Sequence, residues 1–298
     1  MTTAGPESGA GGPTVLRILL GSQLRKLRES RGVTREAAGW EIRASESKIS
    51  RMELGRVGFK ERDVADLLSL YGVTDEADRE SLLALARQAN TQGWWHRFGD
   101  VLPNWFQAYL GLESNAALIR TYEVQFIPGL LQTRDYARAV VMLGHGGAGL
   151  DEIERRIELR MARQQQLTRP GAPQVWAVVD EAVLRRPIGG VTVMRAQVAA
   201  LLDAIKQPNV TIQVMPFQAG GHAAAGGAFT LLRFADEELP DIVYMEQLTS
   251  GLYLDKRDDV DEYAAAMERL CVESVPPDRT AELLERILRD YDSTPSFP

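Results

Sequence analysis

The chain has 298 residues, of which 45% are hydrophobic and 25% charged, and its formal net charge is −7. This length allows two domains with separate cores, and the composition is typical of a globular protein. No stretch approaches the roughly 18 consecutive apolar residues of a membrane span, and the single cysteine, Cys271, excludes a disulfide within the chain. We therefore expect a cytoplasmic protein with no membrane segment.

Two short helices joined by a tight turn are predicted by the stretch TREAAGWEIRASESKISRMELG. Thr34 and Ser45 are residue types that cap the start of a helix. Gly55 suits the left-handed position just past a helix end. Gly39, in the first helix, has no side chain and leaves room for the second helix to cross closely.

The second of these helices has a polar outer surface, formed by Glu46, Ser47, Ser50 and Arg51, while Ile49 and Met52 face inward. Side chains of this kind can read base edges in a major groove. Any small pair of packed helices would show the same spacing, so charge decides between the interpretations. Residues 15–60 contain 11 Lys+Arg against 5 Asp+Glu in an otherwise acidic chain, which favours a phosphate-binding surface.

Three further helices are predicted around this pair, at residues 15–30, 61–71 and 75–90. Residues 1–14 are predicted to be a disordered tail. The sequence thus predicts an all-α domain of five helices over residues 15–90.

This region resembles the helix-turn-helix of phage-repressor-like (XRE-type) regulators through LGSQLRKLRESRGVTREAAGWEIRASESKISRMELGR, and most specifically through SESKISRMELGR. The resemblance implies a lambda-repressor-like DNA-binding domain whose recognition helix spans residues 45–54. It implies base contacts from Glu46, Ser47 and Arg51. Phosphate contacts are implied for a larger set, namely Arg35, Lys48, Ser50, Arg56 and Lys60.

The same resemblance implies a buried ion pair between Arg28 and Glu53 that holds the first helix to the recognition helix. Two features depart from the family pattern. Arg43 stands where the family usually has the turn glycine, which predicts a slightly strained turn. Ala38 and Gly39 are each smaller than the usual residue, which predicts a loosely packed core.

An aromatic stretch, TQGWWHRFGDVLPNWFQAYLGLE, follows this domain and holds three of the five tryptophans, Trp94, Trp95 and Trp105. Such a cluster can stack on a nucleotide or another ligand, but it more often fills the seam between two domains, and we expect the packing role here. A helix is predicted at residues 109–122.

The remaining chain mixes helices and strands. Helices are predicted at residues 133–143, 150–168, 193–205, 259–271 and 280–291. Strands are predicted at residues 174–179, 210–215, 228–234 and 242–246, with a short one at 252–254. We expect a small, largely antiparallel sheet with one polar face, covered by helices. The fold class is therefore α+β overall, with a second domain at residues 91–292 and a disordered tail at 293–298.

The second domain also carries a resemblance, through the WW pair and the stretches YEVQFIPGLLQTRDYA and FTLLRFADEELPDIVYMEQLTSGLYL. These resemble the C-terminal domain of unknown function found in many actinobacterial regulators, described as antitoxin-like or developmental. With this part, the resemblance covers nearly the whole chain. It implies a small partner protein encoded nearby, as in toxin–antitoxin-like pairs.

The sequence shows no catalytic or metal-binding motif. His96, His145 and His222 lack the spacing of metal ligands, and we predict neither a metal nor a cofactor. Three carboxylates near strand ends could perform acid–base chemistry only if they converged, and a surface role is expected for each: Asp180, Glu181 and Glu246.

Two other features have both a structural and a functional interpretation. The glycine-rich segment 220–227 is expected to be a mobile connection between strands, with a lid over a small-molecule pocket as the alternative. The helix at 150–168 carries four arginines that could touch DNA, namely Arg155, Arg156, Arg160 and Arg163. Alternating glutamates favour a salt-bridged solvent face instead.

We therefore expect a sequence-specific transcriptional regulator, not an enzyme, that binds a double-stranded DNA operator as a homodimer on two half-sites. We expect it to be autoregulating and antitoxin-like, with a C-terminal domain that dimerises or binds the partner protein. Two alternatives stay open: a ligand-sensing regulator with a small-molecule pocket in the C-terminal domain, and an enzyme.

Overall fold

The computed structural model describes residues 13–236 and 239–293. The predicted tails at 1–14 and 293–298 lie outside the described residues, except that Pro13, Thr14 and Ser293 belong to helices.

The described residues fall into two compact units. The N-terminal unit contains the described residues up to His96, the segment Gln107–Asn115, and residues 236 and 239. The C-terminal unit contains Arg97–Phe106, Ala116–Ala235 and the described residues from Pro240 onward. The predicted boundary between residues 90 and 91 stays a prediction.

The N-terminal unit contains five consecutive α-helices, as predicted: α1 (Pro13–Ser30), α2 (Arg35–Glu41), α3 (Glu46–Glu53), α4 (Glu61–Leu70) and α5 (Glu76–Ala89). Their apolar stripes meet in one core. Leu20 and Leu24 of α1, Ile49 and Met52 of α3, and Leu68 of α4 are all fully buried in it. The inward face predicted for α3, formed by Ile49 and Met52, is therefore confirmed.

The C-terminal unit is built on a six-stranded mixed sheet with the order β3-β2-β1-β4-β5-β6. Its strands are β1 (Ala116–Glu123), β2 (Gln174–Asp180), β3 (Val210–Met215), β4 (Phe229–Phe234), β5 (Ile242–Glu246) and β6 (Gly251–Leu254). Strands β1, β2 and β3 are parallel, whereas β4, β5 and β6 pair antiparallel. The overall class is α+β, and the five strands predicted from sequence are present.

The central strand β1 was predicted wrongly, as part of a helix at 109–122. Helix α6 (Asn104–Glu113) ends before it, and β1 begins at Ala116. Leu118 and Ile119 continue the apolar spacing of the helix before them, but they pair with β2 on one side and β4 on the other. Pairing partners distant in sequence therefore override the local helical pattern.

The predicted polar face of the sheet is also wrong. Successive residues of a strand point to opposite faces, and both are buried at Leu231 and Leu232 of β4 and at Ile242 and Val243 of β5. Gln213, which the alternation in β3 places on the supposed solvent side, is buried. Its side-chain oxygen accepts from Trp176 Nε1 at 2.8 Å, and its nitrogen donates to the carbonyls of Cys271 and Val275. A buried side-chain amide with its hydrogen bonds formed gives the same alternation of polar and apolar residues as an amide that faces solvent.

Among the described residues, six α-helices lie wholly within the C-terminal unit: α7 (Arg134–His145), α8 (Leu150–Gln164), α9 (Glu181–Arg185), α10 (Val191–Ala204), α11 (Arg257–Glu273) and α12 (Pro277–Ser293). The short α9 was not predicted. On one face, Met267 and Leu270 of α11 pack in a core with Tyr122, Val178 and Val243. No helix in the described part of the chain is both long and apolar enough to cross a membrane.

The two outer strands of the sheet end differently. Along β3, the backbone nitrogen of Val275 donates to Val214 at 2.9 Å, so the segment after α11 covers this edge. At the opposite side, β6 is only four residues long. Short or covered outer strands offer little template for another chain to pair with.

Candidate nucleic-acid interface

Helix α3 begins and ends with the capping residues that the sequence predicts. The Ser45 hydroxyl accepts from the backbone nitrogen of Lys48 at 3.2 Å, and the Thr34 hydroxyl caps α2 in the same way. At its C-terminal end, Gly55 has φ +65 and its backbone nitrogen donates to Met52 at 2.9 Å. The following nitrogen, of Arg56, donates to Arg51, which completes a Schellman motif.

Glycines bring the helices into close contact at two positions. A Cβ atom added at Gly39 of α2 would lie 2.7 Å from the carbonyl oxygen of Ala44 in the turn. One added at Gly21 of α1 would overlap the carbonyl oxygen of Met52 in α3. The prediction of close approach at Gly39 is confirmed. The prediction of loose packing at Gly39 is wrong, because the space is filled by backbone.

The turn between α2 and α3 contains Arg43 at φ +53, the one non-glycine residue with a positive φ in the described part of the chain. Its backbone nitrogen donates to Trp40, and that of Ala44 donates to Gly39. This is again a Schellman motif, with arginine in the position where glycine is preferred. The strain expected from the missing turn glycine is therefore confirmed.

Glu53, the last residue of α3, is joined to two other helices. Arg28 Nε of α1 lies 2.5 Å from Glu53 Oε1, and Arg28 Nη2 lies 3.2 Å from Oε2. Arg35 Nε of α2 lies 2.9 Å from Oε2. The side chains of Arg28 and Glu53 are only 8% and 3% exposed. The hydrogen bond to Glu53 raises the pKa of the Arg28 guanidinium, which therefore stays protonated.

The N-terminal end of α3 is joined to α4 by a second ion pair. Lys48 Nζ lies 2.7 Å from Asp63 Oδ2. The Asp63 side chain is 4% exposed, whereas that of Lys48 is 31% exposed. Arg62 Nη2 approaches the other carboxylate oxygen at 3.8 Å. Lys48 was singled out by sequence, but Asp63 was not.

The three side chains implied to contact bases, those of Glu46, Ser47 and Arg51, are exposed together on α3. Arg51 Nε donates to the carbonyl oxygen of Ser47 at 3.3 Å, along the same face. The implied phosphate contacts have different surroundings. Arg56 and Lys60 are exposed and Ser50 is half-buried, while Arg35 and Lys48 are each bound to a buried carboxylate. Their roles toward DNA stay predictions.

The three carboxylates at strand ends in the C-terminal unit have separate structural contacts. Asp180 caps α9 by accepting from Ala182 at 2.8 Å. Glu181 is buried, where it accepts from the backbone nitrogen of Phe217 at 3.0 Å and pairs with Arg185. The expected surface role of Glu181 is therefore wrong.

A further carboxylate, Glu123 at the end of β1, was missed by sequence. Burial, followed by the charge of Glu246, raises the pKa of Glu123 to about 8. Glu246 is exposed and accepts from Tyr244 Oη at 3.2 Å. A perturbed carboxylate can indicate a functional site, but neither residue is joined to a nucleophile or metal ligand in the described ranges.

The glycine-rich segment 220–227 is attached to the sheet. His222 Nε2 lies 2.9 Å from Tyr122 Oη, and His222 Nδ1 accepts from the backbone nitrogen of Ala224. Because Nδ1 accepts, Nε2 carries the proton and donates to the tyrosine. Gly220 and Gly227 have φ +70 and +92, so glycine is required at both ends of this loop.

Two of the four α8 arginines form ion pairs, as the salt-bridge interpretation expects. The other two depart from it, because Arg160 donates to Gln132 Oε1 at 2.7 Å and Arg163 is buried. Arg155 binds Asp100 at 2.9 Å and Arg156 binds Glu152 at 2.7 Å. A cleft of about 360 Å³ lies along α8, lined by Arg97, Phe98, Arg134, Arg155, Glu158, Met161, Ala162 and Gln165. Arg134 and Arg155 are already paired with Glu154 and Asp100.

Replacing Arg28 with alanine should lower the free energy of unfolding by about 3–5 kcal/mol, because the buried Glu53 carboxylate loses its closest partner. Arg25→Ala is the matched control, since Arg25 lies on the same helix in an exposed pair with Glu29, and it should change stability by less than about 1 kcal/mol. Urea denaturation of both variants measures the difference. Equal losses would show that the Arg28–Glu53 contact has no special energetic role.

Replacing Arg43 with glycine should raise the free energy of unfolding by about 0.5–1 kcal/mol, because glycine adopts positive φ without steric cost. Arg43→Ala removes the same charge and keeps the Cβ atom, so it should leave the strain in place. Thermal and urea unfolding of the two variants test this directly. If alanine stabilises as much as glycine, the effect comes from the arginine charge and not from the backbone.

Comparison with known protein families gives two matches. Residues 19–82 match a helix-turn-helix domain, which coincides with α2, the turn and α3 and with the helices around them. Residues 106–286, more than half of the chain, match a family described as domain of unknown function (DUF5753). No curated protein and no solved structure matches the chain.

The helix-turn-helix match supports a DNA-binding regulator and points away from an enzyme. The C-terminal match carries no biochemical activity with it. The chain belongs to the DUF5753 family, with a helix-turn-helix domain ahead of the family domain.

Proposed function

We propose that this protein is an XRE-type transcriptional regulator that binds operator DNA through α3. The observation that carries the proposal is the exposed polar face of Glu46, Ser47 and Arg51 on a helix held at both ends by buried carboxylates. Base readout requires side chains that stay aligned with the groove. Helix α3 is joined to α1, α2 and α4, and these contacts can keep its exposed side chains aligned.

The charge distribution supports the same function. The region 15–60 is basic within a chain of net charge −7, so this region attracts phosphates although the chain as a whole is acidic. One α3 helix offers few base contacts. Binding as a homodimer to two half-sites would double them and give the selectivity that a regulator needs.

For the C-terminal domain, we propose binding to a small partner protein encoded beside this one, in an antitoxin-like pair. The resemblance of YEVQFIPGLLQTRDYA and FTLLRFADEELPDIVYMEQLTSGLYL to actinobacterial regulators supports this role. Autoregulation follows from it, since a regulator that controls its own upstream region keeps the two proteins in proportion.

Arg51→Ala should weaken operator binding by about 1–3 kcal/mol and relax selectivity at one base position, as loss of a base contact does. Lys60→Ala is the comparison, because Lys60 is an exposed predicted phosphate contact. It should weaken binding to all DNA sequences alike and make binding less dependent on salt concentration. The measurement is binding to DNA from the protein's own upstream region across a salt series.

Identical behaviour of the two variants would contradict the division into base and phosphate contacts. Weak, unselective binding by the wild-type protein would contradict direct operator recognition by the protein alone. Lys48→Ala would be a poor substitute for Lys60→Ala, because it also leaves Asp63 without its nearest partner.

The product of the adjacent gene should co-purify with the full-length protein as a defined complex on size-exclusion chromatography. Arg51→Ala should capture it equally well, because its substitution lies on the DNA-binding helix α3. Recovery of no complex after co-expression would contradict the antitoxin-like role, while leaving DNA binding unaffected.

A further inference from the structure

Asp63 is a buried carboxylate in the first turn of α4. It lies on the same helix as Val64, Leu67 and Leu68, which are core residues. A carboxylate removed from water in this way is costly unless a cation compensates it. The nearer of its two cations is Lys48 of α3, at 2.7 Å, while Arg62 of α4 lies 3.8 Å from the other carboxylate oxygen. The location of Asp63 therefore depends mainly on Lys48.

Lys48 is fixed by both its backbone and its side chain. Its backbone nitrogen donates to the Ser45 hydroxyl that caps α3, and its Nζ lies 2.7 Å from Asp63 Oδ2. A free lysine side chain samples many rotamers, and ordering it on binding costs free energy. Asp63 orders Lys48 before any DNA arrives.

The ordered ammonium group keeps binding capacity. An ammonium has three N–H donors, and Asp63 accepts one of them. The Lys48 side chain is still 31% exposed, so the group can reach solvent. Arg35 repeats the arrangement on α2, with 34% of its side chain exposed and its Nε bound to the buried Glu53.

We propose that Asp63 is a positioning residue for DNA binding, which holds Lys48 where a backbone phosphate of the operator meets it. This inference rests on the proposed function and adds a residue to it. Phosphate contacts set the register of a protein on the duplex, so an ordered Lys48 fixes where the base-reading face of α3 lies.

The sign of one substitution separates positioning from simple electrostatics. Asp63→Asn removes a negative charge near the DNA-binding surface, so electrostatics alone predicts tighter binding. Loss of positioning predicts the opposite, about 3- to 10-fold weaker binding to every sequence. It also predicts a salt slope smaller by up to about 1, because Lys48 no longer makes a fixed phosphate contact.

The test uses the full-length protein, the upstream DNA fragment and a salt series, at a temperature where circular dichroism shows every variant to be folded. Asp66→Asn is the matched control, with the same charge change on the same helix, and it should bind as well as the wild type or slightly better. Asp63→Glu keeps the charge but moves the carboxylate, so positioning predicts weaker binding even if Asp63→Asn fails to fold. The double variant Lys48→Gln/Asp63→Asn should lose no more DNA affinity than the single variant Lys48→Gln.

If the wild-type protein binds DNA, and Asp63→Asn or Asp63→Glu binds at least as tightly, the inference about Asp63 is overturned. The proposed function would not be affected by that result. A weaker Asp63→Asn variant with an unchanged salt slope would also overturn the inference, because a purely structural role does not depend on Lys48. A wild-type protein without salt-dependent DNA binding would overturn the proposed function, and the inference with it.

Discussion

Two buried carboxylates determine how helix α3 is held. Glu53, at the end of α3, binds Arg28 of α1 and Arg35 of α2, while Asp63 of α4 binds Lys48 near the start of α3. Buried ion pairs add little net stability compared with apolar residues of the same shape, but they are costly to break. Their effect here is geometric, because any rotation or slide of α3 would separate at least one pair.

Apolar packing alone would leave α3 less defined. Ile49 and Met52 fix which face points inward, but apolar contacts tolerate small shifts along the helix axis. Hydrogen-bonded charges have strict distance requirements. The Gly21 position adds a steric constraint, since the backbone of α3 lies where a side chain on α1 would be. Charge, packing and close backbone approach therefore specify one orientation.

Local features of the fold could be predicted from the sequence, whereas features that depend on distant partners could not. Thr34 and Ser45 cap helices through neighbours three residues away, and the five-helix domain follows from such signals. Asp63 looks like an ordinary acid in the first turn of a helix, because its burial depends on Lys48, fifteen residues earlier. The prediction for Glu181 is wrong for the same reason, since its carboxylate accepts from the backbone nitrogen of Phe217, a residue far along the chain.

The role of the C-terminal domain is the least predictable part, because the polar residues singled out there, such as Asp180 and Glu181, bind structural partners. Strand β1 has a consequence for how this domain folds. It pairs with β2 through Gln174 onward and with β4 through Phe229 onward, so the centre of the sheet forms only when segments far apart in the chain meet. Such non-local pairing is slow to form. Because β1 joins the parallel and antiparallel halves, its backbone amides can exchange with solvent only when the sheet itself opens.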